Sequence, residues 1–201
     1  PYSDVLTASD ERAMADFLDA GGRLFITSPE VGWDNREDPF YSNYLHARWL
    51  YDDSDNLNIR GVDGDPISDG LTFSIGGGDG ADNQAYPDII EPLDSYATPI
   101  FYYGMTNDSC SALKIATDTY RVVYFGFGFE AIDNPSSRAI VMYNVLSWLE
   151  IPIGVPVDEP EATLIPSSFT LDAPYPNPFN ATLSIPVKVV EKSKLTLLVY
   201  N

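Results

Sequence analysis

The chain has 201 residues, 44% of them hydrophobic, and a formal net charge of −19 from 30 acidic against 11 basic residues. That is enough apolar content for one sizeable core, and the charge excludes a nucleic-acid partner, which needs clustered Lys and Arg, and disfavours an anionic membrane surface. No apolar run reaches the roughly 18–20 residues of a membrane-spanning helix, and Cys110, the single cysteine, rules out an internal disulfide.

In chain order, Thr7-Ala8-Ser9-Asp10 has the capping-box pattern, with Thr7 as N-cap and Asp10 three residues on. Ala13, Met14, Phe17 and Leu18 then recur at helical spacing, and Gly21-Gly22 ends the helix because glycine takes the left-handed conformation without steric cost. Residues 23–27 follow as an apolar strand. Residues 38–50 are rich in aromatics and predict a second helix. Residues 99–103 and 112–117 predict strands, and Asp118-Thr119 turns the chain back into a strand over 120–127, an antiparallel hairpin at a sheet edge. Residues 136–150 predict an amphipathic helix with Ile140, Val141, Val145, Leu146 and Leu149 on its apolar stripe.

The composition then shifts. Pro152, Pro156, Pro160 and Pro166, with Asp158, Glu159 and Glu161, predict an acidic linker over 151–168. Residues 182–190 and 194–200 alternate with the period of half-buried strands. Between them and the linker stands Tyr175-Pro176-Asn177-Pro178-Phe179-Asn180, in which two prolines fix φ and predict an extended turn. This hexapeptide, with Val199-Tyr200-Asn201, resembles the opening of the C-terminal sorting modules of the bacterial type IX secretion route. The resemblance implies a small all-β Ig-like sandwich over 169–201, a secreted or cell-surface protein, and secretion or cell-surface machinery as its partner. Ala181 stands where that pattern has a third proline. The first residue is Pro and the last falls inside a predicted strand, so a fragment is expected.

Residues 1–150 carry 25 acids against 8 bases. Their segments 18–28, 61–71 and 121–132, the last followed by an Arg-containing helix, resemble class I glutamine-amidotransferase-like domains. The resemblance implies an α/β fold, a flavodoxin-like three-layer sandwich lacking its N-terminal strands. Active members use a Cys nucleophile on a tight strand-to-helix turn, with His and Glu from a later strand. Here the strand over 23–27 leads into Ser28-Pro29-Glu30, with no Cys, and the later stretch offers Glu130 in the acid position without a base. Ser28, Glu30 and Glu130 therefore mark a degenerate triad region, and no catalytic residue is expected. His46, the only histidine, lies in the aromatic stretch and is expected to serve packing.

Asp63, Asp65 and Asp69 sit in a glycine-containing loop and form the candidate calcium site, since hard cations favour oxygen clusters. Pro66 and the absence of a terminal Glu set the loop apart from an EF-hand, and a turn-forming acidic loop is the competing reading. No other cofactor is expected. The sequence is thus read as a noncatalytic domain of an exported multidomain protein. The alternatives are an accessory part of a secreted peptidase or other hydrolase, and a calcium- or glycan-binding adhesion domain.

Overall fold

The capping box at Thr7 forms as its residues dictate. Thr7 Oγ1 accepts from the Asp10 amide at 3.3 Å, and the Asp10 carboxylate accepts from the Thr7 amide at 3.0 Å. The Thr7 hydroxyl donates to the same carboxylate at 2.6 Å, and the two bonds that the carboxylate accepts, this one first, hold it below its usual range. They start helix α1, Ala8–Asp19, which closes at Gly21 with φ +89 and leads straight into strand β1, Arg23–Thr27.

A computed structural model of the chain describes residues 5–52 and 54–151 in full and, as backbone strands, residues 170–171, 175–180, 182–184 and 187–188. Contacts divide the chain into Pro1–Ile153 and Gly154–Asn201. In the first unit, β1 is followed by two short helices, α2 (Val31–Asn35) and α3 (Pro39–Asn43). Then come β2 (Ala47–Tyr51), β3 (Asn58–Gly61), β4 (Thr72–Ser74), β5 (Ile89–Pro92), β6 (Ala97–Tyr103), β7 (Cys110–Ala116), β8 (Arg121–Phe125) and helix α4 (Pro135–Trp148). Six strands form one sheet in the order β1-β8-β7-β6-β3-β4, while β2 and β5 form a separate antiparallel pair.

Strand β8 shows why the sheet is stable. Val122 and Tyr124 point into a core shared with Leu18 of α1, Tyr41 of α3 and Ile90 of β5. Val123 and Phe125 point the other way, into a core with Val141, Val145 and Leu149 from α4 and its C-cap. Every β8 side chain from Val122 to Phe125 is 0% exposed, so both faces of the sheet are covered.

Two expectations are corrected. The sheet is not that of a flavodoxin-like sandwich, because only β1 and β8 pair in parallel and the remaining neighbours are antiparallel. The cause is connection length. Six residues join β6 to β7 and four join β7 to β8, whereas a parallel crossover takes a dozen or more. Helices are correspondingly few, and one face is covered by α1, α2 and α3 together with the β2–β5 pair. The helix predicted over 38–50 is instead the five-residue α3 followed by strand β2. His46 breaks it, with φ +46, a left-handed conformation that ends a helix.

In the second unit, Tyr175–Asn180 is a strand rather than a turn. It pairs antiparallel with Thr182–Ser184, matching Tyr175 with Ser184 and Asn180 with Thr182 across a register shift. Thr170–Leu171 pairs with Val187–Lys188. The predicted linker after Ile151 and the predicted strand over 194–200 lie outside the described residues.

Phe125 meets Phe25 edge-on at 4.9 Å and stacks on Phe127 at 4.9 Å. Phe125→Ala should therefore lower the unfolding free energy by about 3–5 kcal/mol in urea titration. Phe17→Ala, at a residue 49% exposed, should cost under about 1 kcal/mol.

Candidate functional site

Parallel strands β1 and β8 finish side by side, and the loops leaving them bring together the groups most able to do chemistry. The Ser28 amide donates to the Phe125 carbonyl at 3.2 Å, which carries the pairing one residue beyond the strands. Beside them lies Asp88, just before β5 and 0% exposed. Its amide donates to the Gly126 carbonyl at 2.8 Å. Its two carboxyl oxygens accept from the Gly32 amide and the Trp49 indole N–H, each at 2.7 Å.

Glycine is required on both sides of this aspartate. A Cβ on Gly32 would lie 2.6 Å from the carboxyl oxygen, and one on Gly126 would lie 2.7 Å from the Asp88 carbonyl. Burial pushes the Asp88 carboxyl up to about 8, against the pull of the indole and of the Gly32 amide, and the nearby Glu30 raises it further. Glu30 itself is raised by burial and by the neighbouring Asp52 and Asp34. Tyr103 donates its hydroxyl to the Asp88 carbonyl at 3.1 Å, and Tyr41 meets Tyr124 edge-on at 6.0 Å. Burial raises all three tyrosine hydroxyls.

Ser28, Glu30 and Glu130, expected to mark a degenerate triad region, follow β1 and β8, and two of them have structural partners. The Ser28 hydroxyl accepts from the Glu30 amide at 3.1 Å, and Glu130 accepts from Asn83 at 3.0 Å in the turn after β8. Cys110, at the start of β7, is buried, and burial pushes its thiol up to about 12, away from the thiolate a nucleophile needs. His46 is at the opposite end of the sheet. Its Nδ1 is 2.7 Å from Asp94 and its Nε2 is 2.9 Å from the Tyr120 hydroxyl, which in turn donates to the Asn43 carbonyl at 3.1 Å. Tyr120 precedes β8 and Phe125 ends it, a rise of about 16 Å at 3.3 Å per residue.

Asp63, Asp65 and Asp69 build a turn. Asp65 is buried, forms an ion pair with Lys114 and accepts from the Ile67 amide at 2.9 Å. Asp69 accepts from the Gly64 amide at 2.7 Å, and Asp63 is exposed. Among the described residues, no group of three or more His, Cys, Asp or Glu is placed to hold a metal ion. None of the described helices is long and apolar enough to cross a membrane. A groove of about 450 Å³ over β3 and β4 is lined by Arg60, Thr72, Phe73, Met105 and Asp133 among others, and Arg60 donates to Asn107 and the Gly61 carbonyl.

No family model matches the chain, and no curated protein does. Solved structures do. The β-galactosidase from Rahnella sp. R3 aligns with a TM-score of 0.51 at 15% identity, over 82% of this chain and 23% of that one. The mmIFT52 N-terminal domain aligns with a TM-score of 0.51 at 13% identity, over 75% of each chain. A β-galactosidase from the Antarctic haloarchaeon Halorubrum lacusprofundi aligns with a TM-score of 0.47 at 14% identity, over 75% of this chain and 21% of that one. The chain therefore spans about a quarter of the β-galactosidases it matches, and the likeness is one of fold. These neighbours replace the amidotransferase-like reading of residues 1–150. For residues 169–201 the sorting-module reading is likewise withdrawn, since no family model matches there and its predicted turn is a strand.

The raised carboxyl of Asp88 has a direct consequence for stability. The fold keeps a proton that the unfolded chain releases near pH 4, so this contribution is complete below that pH and is lost as pH climbs towards about 8. Asp88→Asn removes the titration and turns an NH₂ towards one of the two donors, at a cost of about 1–3 kcal/mol in acid. Urea unfolding at mildly acidic and mildly alkaline pH should show the native chain losing more stability than the variant, so that the gap between them narrows.

Proposed function

We propose that residues 5–151 form a noncatalytic accessory domain of a larger, carbohydrate-processing protein. One observation carries this reading. The only histidine is latched to Asp94 and Tyr120, about 16 Å along β8 from Ser28 and Asp88, so among the described residues no histidine base meets a nucleophile. A glycosidase-type mechanism needs two carboxyl groups facing each other across an accessible cleft. Asp88 is wholly buried and both its oxygens are bonded. The larger carbohydrate-processing context is supported by the likeness to a piece, about a quarter, of a β-galactosidase.

The test is an assay of the chain on chromogenic galactosides and on other aryl glycosides. Expected rates equal those of buffer and are unchanged by Glu30→Gln. Turnover that Glu30→Gln or Asp88→Asn abolishes would overturn the proposal.

A further inference from the structure

We infer that the outer edge of β1 is a self-association surface, on which two copies of this chain join their sheets about a two-fold axis. The inference is independent of whether the domain is catalytic.

β1 is the last strand of its sheet, and among the described residues no strand pairs with its outer side. Its pairing with β8 runs without a bulge from Arg23–Arg121 to Thr27–Phe125. Gly22 accepts from the Arg121 amide and Ser28 donates to the Phe125 carbonyl, so the even-numbered residues bond to β8. By alternation, the N–H and C=O groups of Arg23, Phe25 and Thr27 face outwards. A second β1 laid antiparallel about Phe25 sets Phe25 opposite Phe25 and Arg23 opposite Thr27. Each of these pairs exchanges two bonds, which gives six across the junction.

Natural edge strands are guarded by proline, bulges or charged side chains. This one has no such guard. Arg23, its only charged residue, is folded back onto the carbonyls of Gly21, Gly22 and Thr119 at 2.8, 3.2 and 3.3 Å. Leu24, Phe25 and Ile26 are only half-buried although they belong to the cores of the two faces. Phe17 of α1 lies over Gly22 at the head of the strand and is 49% exposed. On the other face α4 carries a single charge, Arg138, which is engaged with Asp79, and leaves Tyr143 52% exposed.

Self-complementarity favours a second copy laid antiparallel. The outward groups of Arg23, Phe25 and Thr27 lie symmetrically about Phe25, so a two-fold axis through Phe25 satisfies all of them with an identical strand. With a net charge of −19 on each chain, long-range repulsion opposes association. Added salt screens that repulsion but not the edge bonds or the apolar contact.

Sedimentation velocity on the full chain tests this. The expected result is a monomer–dimer equilibrium in which the dimer fraction grows several-fold from low to high sodium chloride. Arg23→Pro removes an outward N–H at the first residue of an edge strand, where proline is tolerated, and Phe17→Glu places a charge on an exposed site. Both should be monomeric at every salt concentration, with native circular dichroism. A chain that is monomeric throughout, as it would be if this edge served a different protein, overturns the inference. So does a dimer that both folded variants retain.

Discussion

The constraint on which most of the first unit depends is the burial of Asp88. Its main chain is fastened to Gly126 and Tyr103, and its carboxyl to Gly32 and Trp49. One residue therefore connects the loop before β5, the end of β8, helix α2 and strand β2. A buried carboxyl is expensive unless its oxygens are satisfied, and this one meets two donors at 2.7 Å while keeping its proton to about pH 8. The two glycines beside it are consequences of the same packing, since neither site has room for a Cβ. Phe25, Phe101 and Phe125 then fill the opposite side of the sheet with edge-to-face contacts.

How much of this could be read from the residues follows the range of the interactions. Local signals held. The Thr7–Asp10 box, the Gly21 stop, strand β1, the β7–β8 hairpin and helix α4 all depend on neighbours a few residues apart, although the hairpin lies inside the sheet and not at its expected edge. Residues 38–50 misled because their aromatics suit a helix, yet Trp49 is drawn to Asp88 and His46 to Asp94 and Tyr120, all far along the chain. The apolar stripe of α4 was right for Val141, Val145 and Leu149, but Ile140 is 47% exposed. The fold class failed for a related reason. Helix–strand alternation suggests parallel crossovers, whereas strand direction is settled by the short connections between β6, β7 and β8.

The site shows the same division. Ser28, Glu30 and Glu130 follow β1 and β8, strands that the sequence marks clearly, but the triad role expected of them rests on a resemblance that the fold does not support. Asp88 was missed. In Tyr86-Pro87-Asp88-Ile89-Ile90 the only signal is a polar residue between a proline and an apolar pair, and nothing local tells a buried aspartate from a solvated one. The acidic loop was ambiguous in the opposite sense. Its carboxylates suggest a cation, yet Asp65 finds Lys114, 49 residues away, and the backbone amides of the turn take up Asp65 and Asp69.

These placements explain how a sheet of this kind can carry different roles on one frame. The ends of β1 and β8 form a position where a fold can present a nucleophile, a base and an acid, because two adjacent strands deliver their loops to one spot. In this chain the spot is filled by an aspartate that the fold needs for its own cohesion. Making it reactive would mean removing the indole and amide bonds that hold β2 and α2 in place. A base would also have to come from a chain whose single histidine binds the other end of the sheet. Structural use of Asp88 and catalytic use of its position therefore compete for the same hydrogen bonds, and here cohesion has taken them.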